Sequence, residues 1–109
     1  MKVAVICSRG LTVDNLGDYM PEDTTEIISG GTKGIDTCAS DYAFSHDIVL
    51  TVYLPHYEIY GKGAPLKRNI AIIENADFVI AFWDGKSRGI KFVIDKCIDL
   101  EKKIKIVKM

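Results

Sequence analysis

The sequence predicts a single α/β domain spanning residues 1–109, with a parallel five-stranded sheet between two layers of helices. Short segments rich in β-branched and aromatic residues alternate with segments of helical periodicity, and such alternation builds parallel sheets through right-handed crossovers. The strand segments are almost continuously apolar, as expected for strands buried on both faces. A chain of 109 residues can bury one core but has no room for a separate domain. The expected strand order is 3-2-1-4-5.

Five apolar segments have the length and composition of strands. Each is short and is bounded by glycine, proline or polar residues. They are residues 2–7 (KVAVIC), 26–29 (EIIS), 48–54 (IVLTVYL), 78–83 (FVIAFW) and 104–108 (IKIVK).

The segments between the predicted strands show helical spacing. Starting at Ile35 and again at Ile90, apolar residues recur at i, i+3, i+4, i+7 and i+8, which predicts two amphipathic helices. A third helix is predicted to begin just after Pro65, because proline is favoured at the first helical position. A weaker pattern predicts a fourth helix over residues 11–20, ended by Pro21.

Composition and charge exclude several classes of protein. With 48% hydrophobic and 27% charged residues, the chain has an ordinary globular composition. It has no apolar run of membrane-spanning length and no secretory signal, so we expect a cytoplasmic protein without a membrane partner. The three cysteines are widely spaced and form no CxxC pair, which indicates neither a disulfide framework nor a zinc site. The net charge of −1 gives no general attraction to nucleic acid.

Four predicted strand-to-helix connections point to one edge of the sheet. In open parallel sheets, ligands bind beyond the carboxyl ends of the strands, where the winding reverses, here between the first and fourth strands. The connections are residues 8–10, 29–34, 55–65 and 84–89. In or beside them lie seven of the fourteen basic residues, namely Arg9, Lys33, Lys62, Lys67, Arg68, Lys86 and Arg88. Only three acidic residues accompany them, namely Asp36, Glu58 and Asp84. We therefore expect a cationic rim at the ligand-binding edge.

The segment SGGTKGID, residues 29–36, follows the second strand and leads into a helix. Glycines let the backbone approach a ligand, and the opening of a helix presents unpaired N–H groups and a positive dipole end. A phosphate suits such a turn; the alternative is a tight turn whose glycines serve steric needs alone. Asp36 is expected to serve the helix N-terminus or to reach a ribose hydroxyl rather than to act as a base. The proposed ligand-binding residues here are Ser29, Gly30, Gly31, Thr32, Lys33, Gly34 and Asp36.

Two familiar phosphate motifs do not match. The first strand is followed by Cys7-Ser8-Arg9-Gly10-Leu11-Thr12, which contains one glycine and not the GxGxxG of dinucleotide-binding folds. Gly85-Lys86-Ser87 resembles the end of a P-loop, but the leading glycine would have to stand at Ile80, inside a strand.

Three segments together resemble the SLOG superfamily, which joins the Smf/DprA DNA-processing proteins to the Lonely Guy phosphoribohydrolases. They are Ser8-Arg9-Gly10, the SGGTKGID segment, and residues 82–89 (FWDGKSRG). The chain is most similar to the small stand-alone bacterial members related to YspA, and the likeness extends through residues 60–69 (YGKGAPLKRN). The resemblance implies a Rossmann-like fold that binds a nucleotide or nucleotide-derived ligand, with phosphate held by the glycine turn. Some SLOG domains are proposed to sense or process signalling nucleotides.

The chain departs from the Lonely Guy motif PGGxGTxxE at informative positions. Ser29 replaces the proline, an extra residue separates the glycines, and alignment on Gly34 places Cys38 where the catalytic glutamate should be. The GID of the segment fits the Smf/DprA pattern better. Whether the protein is an enzyme is therefore left open by the sequence.

Further ligand-binding candidates lie in the other connections. Arg68 could grip phosphate oxygens with two parallel hydrogen bonds, and Asn69 lies beside it, although both could simply be solvated at the start of a helix. Trp83 could stack on a base or could cap the core. Lys86 and Arg88 could clamp a ligand from a glycine-flanked loop. The remaining candidates are Ser8, Arg9, Gly10, Asp84, Gly85, Ser87 and Gly89.

No residue spacing demands catalysis. Hydrolysis needs a placed acid, base or nucleophile, and the candidates near the expected site are Asp36, Asp84, His56, Glu58, Ser8 and Cys7. Three functions thus stay open: binding of a nucleotide or nucleotide-derived ligand, with a sensor role as one form of it; hydrolysis of a glycosidic or phosphate bond in such a ligand; and binding of single-stranded DNA. No metal is expected, and a homodimer is a possible assembly.

Overall fold

The computed structural model describes residues 1–8, 13, 15–30 and 35–109, with the side chains of residues 35–38 and 40 left out. All pairings in its sheet are parallel, and the strand order is β3-β2-β1-β4-β5, which confirms the predicted fold class and topology. The elements are β1 (Lys2–Cys7), β2 (Glu26–Ser29), α1 (Ile35–Ser45), β3 (Val49–Val52), α2 (Tyr57–Tyr60), α3 (Ala64–Asn75), β4 (Phe78–Trp83), α4 (Arg88–Asp99) and β5 (Ile104–Lys108).

The central strand β1 divides the sheet at the point where its winding reverses. It pairs with β2 on one side and with β4 on the other, so the connections that leave β1 and β4 diverge from this line. Both strands are almost wholly buried, in keeping with their uninterrupted apolar sequences. A crevice between helices at the carboxyl end of β1 is the geometric consequence.

Two apolar cores cover the two faces of the sheet. On the α1 face, Val5, Ile27 and Phe82 pack with Ala39 and Ala43 of the helix. On the opposite face, residues of α3 and α4 pack on the other side chains of the same strands, namely Ala4, Ile6, Ile28, Val79 and Ala81. The alternation of successive strand residues between faces produces this division.

The helices α1 and α4 end in the same way. Asp47 and Glu101 adopt positive φ, 53° and 54°, just beyond the two helices. The next residue of each donates its N–H five residues back, from Ile48 to Ala43 O and from Lys102 to Cys97 O, both at 2.8 Å. This is the Schellman arrangement, which satisfies carbonyls that a helix end would leave unpaired. It also explains why β3 begins at Val49 rather than at the predicted residue 48.

The helix predicted over residues 11–20 is wrong for the part of it that the structure describes. Only Leu16–Asp18 form a helical turn there, and it is of the 3-10 type. Gly17 lies in the middle of this turn, and the low helix propensity of glycine disfavours a longer helix. Residues 11, 12 and 14 lie outside the described part of the chain.

Other boundaries differ by small amounts. The α3 helix starts at Ala64, one residue before Pro65, which stands within its first turn. The long 55–65 connection contains the short helix α2 and a 3-10 turn, Gly61–Gly63, which the sequence patterns did not predict. Across the described ranges of the chain, no helix combines the length and apolar character that a membrane span requires.

Candidate functional site

A small cavity lies at the predicted edge, where the winding of the sheet reverses. Its volume is about 120 Å³, and it is bordered by the carboxyl half of β1, the residue after β2, the inner side of α3 and the start of α4. Five of the sequence-predicted site residues line it: Gly30, Arg68, Asn69, Ser87 and Gly89. Three separate connections, far apart in the sequence, therefore meet around one space.

Arg68 joins the second strand to the third helix at this cavity. Its Nη1 donates to the Gly30 carbonyl at 2.5 Å and its Nε donates to Asn69 Oδ1 at 2.9 Å. Asn69 is buried, so the amide holds the guanidinium from inside the fold. A Cβ on Gly30 would lie 3.1–3.3 Å from three guanidinium atoms, which is tighter than ordinary contact and explains a glycine here. The cation is thus positioned by the fold at the end of β2.

The carboxylate of Asp84 organises the turn between β4 and α4. Its Oδ1 accepts the N–H groups of Lys86 and Ser87, both at 2.8 Å, and the Asp84 N–H donates to Ser8 Oγ at 3.2 Å. These two backbone bonds are the main cause of a lowered Asp84 pKa, and the Ser8 side chain lowers it further while burial opposes them. Asp84 is therefore an ionised acceptor that shapes the loop.

Ser87 and Trp83 complete that turn. Ser87 caps α4, its Oγ accepting the Ile90 N–H at 3.4 Å. The Trp83 indole N–H donates to the Ser87 carbonyl at 3.1 Å, and the half-buried ring packs against the core on the α3 and α4 face. Trp83 lines neither the small cavity nor the groove described next. Its visible role is to anchor the loop.

A larger groove of about 720 Å³ lies on the other side of Arg68. The end of β3 and the residues after it form one wall, and α2 and α3 form the other. The side chains of Tyr53, His56 and Tyr60 supply its aromatic surface, and Lys67 Nζ stands 5.8 Å from the centre of the Tyr60 ring. Arg68 lines both spaces, so this residue lies between them. The sequence patterns gave no reason to group Tyr53 with the site.

Five of the cations predicted at the carboxyl edge belong to the described part of the chain. Lys62, Lys67, Lys86 and Arg88 are exposed there, and Arg68 is half-buried. Sequence reasoning missed Lys108, whose Cε lies 3.0 Å from the position that a Cβ on Gly85 would take. Its place as the last residue of β5, which ends at the same edge, was the available signal.

The catalytic candidates that the structure describes do not converge. His56 Nδ1 lies 3.4 Å from Glu58 Oε1, but both side chains are mainly exposed. Ser8 and Cys7 are buried, and the Cys7 thiol donates to the Ser8 carbonyl at 3.1 Å. Within the described parts of the chain, no three His, Cys, Asp or Glu side chains are grouped to hold a metal ion.

Part of the predicted site lies outside the described residues. This applies to Arg9 and Gly10, to Gly31, Thr32, Lys33 and Gly34, and to the side chains of Asp36 and Cys38. No family model, curated protein or solved structure matches the chain. The described residues themselves must therefore carry the interpretation.

Proposed function

We propose that the protein binds a nucleotide or a nucleotide-derived ligand at the carboxyl edge of its sheet, as a binding or sensing module. The observation that carries this proposal is the pair of adjoining spaces, one small and one large, that have Arg68 in both linings. A nucleotide has the same two parts, a compact anionic group and a larger, flat, partly apolar group.

The small cavity suits the anionic group. Pro65 and Leu66 of α3, with Ser87 and Gly89 at the start of α4, border it, so the first turns of two twelve-residue helices lie beside the same space. Arg68 adds a cation held in place by the Gly30 carbonyl. Its volume of about 120 Å³ is far below the roughly 300–1,000 Å³ of sites for whole drug-sized ligands. One phosphate-sized group is the natural occupant.

The groove suits the remainder of the ligand. Its volume of about 720 Å³ falls within the range of small-molecule sites, and it combines apolar side chains with the rings of Tyr53 and Tyr60. Aromatic rings bind the flat faces of bases by stacking, worth about 1–3 kcal/mol per base in single-strand binders. We therefore infer that the base or ribose lies in this groove.

The glycine segment supports the same ligand class. Gly30, its second residue, lines the small cavity, so the predicted phosphate loop begins at that cavity. The likeness of SGGTKGID to the SLOG proteins points to nucleotides as well. Membership of that superfamily is part of this proposal.

Titration calorimetry with nucleoside mono- and diphosphates tests the proposal, with the matching nucleosides and inorganic phosphate as partial ligands. We expect at least one nucleotide to bind more tightly than either of its parts. The Arg68→Met variant should bind it at least about tenfold more weakly, because a hydrogen bond to a charged group contributes about 1.5–3 kcal/mol. Arg68→Lys, which keeps the charge and loses the planar donors, should be intermediate.

The control is Lys91→Met, which removes a cation from an exposed pair with Asp95 on α4. Absence of binding across purine and pyrimidine nucleotides would contradict the proposal, as would equal affinity in the Arg68→Met variant and the parent. Product analysis of the same mixtures separates a binding module from a hydrolase. A steep loss of oligonucleotide binding with added salt would instead favour the single-stranded DNA function.

A further inference from the structure

The two edges of the sheet differ in chemistry. The β5 edge, Ile104–Lys108, carries Lys105 and Lys108, and charged lysines are a common means of preventing edge strands from pairing with other chains. The β3 edge carries no charge at all from residue 48 to residue 54. Three of its apolar residues are exposed: Val49 by 60%, Val52 by 41% and Leu54 by 61%. Of the two edges of the described sheet, only the β5 edge carries charges that oppose strand addition.

The backbone of β3 offers hydrogen-bonding groups on its outer side. The Tyr53 N–H donates to the Ser29 carbonyl of β2 at 2.8 Å, so residue 53 faces inward. Because successive residues of a strand direct their N–H and C=O groups to opposite sides, Leu50 and Val52 direct theirs away from β2. In the topology of the described sheet, β3 is the outermost strand on that side.

The sequence of this edge is nearly symmetric about Thr51. In the segment IVLTVYL, an antiparallel copy centred on Thr51 would place Ile48 opposite Leu54, Val49 opposite Tyr53 and Leu50 opposite Val52. Thr51 would face its own copy. Thr–Thr pairs and pairs of aromatic with β-branched residues are among the stabilising cross-strand contacts, and no like charges face each other. An edge that complements itself in this way fits a second copy better than an unrelated peptide.

We propose that the β3 edge is a homodimer interface, in which two copies pair their β3 strands antiparallel about a two-fold axis at Thr51. The outward groups of Leu50 and Val52 then meet as hydrogen-bonded pairs, each exchanging both N–H···O=C bonds. The Thr51 residues form the non-hydrogen-bonded pair between them, with Cα atoms about 4.5 Å apart. The two sheets become one continuous sheet, and the interface is of the self-complementary kind expected for two-fold dimers.

A charge exchange at the axis tests this geometry. The parent should sediment at twice the monomer mass of 12.1 kDa. Thr51→Lys and Thr51→Glu should each sediment as folded monomers, because each brings two like charges together across the axis. An equimolar mixture of the two variants should sediment again at twice the monomer mass. A monomeric parent, or variants that dimerise as the parent does, would overturn the proposal.

A cysteine at the two-fold axis tests the same geometry by crosslinking, without destabilising the paired β3 strands. Thr51→Cys should form an intermolecular disulfide on mild oxidation, because its Cα separation falls within the 4.4–6.8 Å that disulfides span. The matched control is Ile106→Cys, at a 46% exposed position on the opposite edge, which should not crosslink beyond the parent. Equal crosslinking of both variants would contradict the inference. Neither outcome depends on the nucleotide proposal, since both measurements are made without ligand.

Discussion

At the scale of single residues, the two Schellman helix ends contain backbone strain that a substitution can relieve. Asp47 and Glu101 stand at φ near +54°, where a Cβ crowds the following carbonyl. Aspartate tolerates this conformation better than glutamate because its short side chain can bond locally. The sequence patterns gave no glycine to mark either helix end, so this feature emerged only from the structure.

We predict that Glu101→Gly stabilises the protein by about 1 kcal/mol, because glycine adopts positive φ without strain. Asp47→Gly should give a smaller gain. Chemical denaturation monitored by circular dichroism measures both, and Glu101→Ala is the control because alanine retains the crowded Cβ. A gain for alanine equal to that for glycine would show that loss of the charge, not relief of strain, is responsible.

The Asp84 carboxylate links stability to pH at the same scale. Its pKa in the folded protein is lowered from 3.8, mainly by the N–H groups of Lys86 and Ser87. A depressed pKa contributes stability above the unfolded value, and that contribution is lost as pH falls through the folded value. The relevant window therefore begins near pH 4 and extends downward.

We predict that Asp84→Asn lowers the free energy of unfolding at pH 7 and makes it less dependent on pH below 4. The amide oxygen still accepts hydrogen bonds, but it has no charge to lose. Denaturant midpoints at pH 7, 4 and 3 measure the effect, with Glu22→Gln as a control that removes an exposed carboxylate elsewhere. If both variants have the same pH profile, Asp84 does not carry the dependence.

At the scale of elements, the start of α4 separates a structural role from a binding role. Ser87 and Asp84 hold the turn through the backbone, while the side chains of Lys86 and Arg88 are exposed and lie in the same turn. The shape of the turn should therefore survive the loss of both cations. The attraction of the two cations for a bound anion should be lost with them.

We predict that the double variant Lys86→Ala, Arg88→Ala loses at least about tenfold in nucleotide affinity, given about 1.5–3 kcal/mol for a charged hydrogen bond. It should unfold at nearly the parent temperature, because the Ser87 cap and the Asp84 bonds are retained. Calorimetry and thermal denaturation measure the two quantities. The double variant Lys91→Ala, Lys96→Ala removes the same charge further along α4 and should keep the affinity. Equal losses of nucleotide affinity in the two double variants would indicate that the net charge of the protein, and not local contacts with Lys86 and Arg88, attracts the ligand.

At the scale of the whole molecule, one feature of the topology creates both the crevice and the edges. The winding reverses at β1, and the small cavity lies at the carboxyl end of this strand, beside α3 and α4. The same order leaves β3 and β5 as outermost strands. The groove beside the carboxyl edge and the proposed pairing along β3 share Val52, Tyr53 and Leu54.

The sequence by itself determined the five strands and the three long helices α1, α3 and α4, their order, and the edge at which ligands are expected. Those properties follow from local patterns, since the spacing of apolar residues and the alternation of strand and helix are read within short windows. The weak pattern at residues 11–20 failed because it contains Gly17, whose low helix propensity leaves only the turn Leu16–Asp18.

Only the tertiary structure decided which residues meet. Arg68 bonds to Gly30 across 38 positions, and Ser8 bonds to Asp84 across 76. Local periodicity carries no information about such pairs, because their distances depend on how whole helices pack on the sheet. For the same reason, the shared lining of the cavity and the groove by Arg68, and the outward direction of the Leu50 and Val52 backbone, required the folded chain.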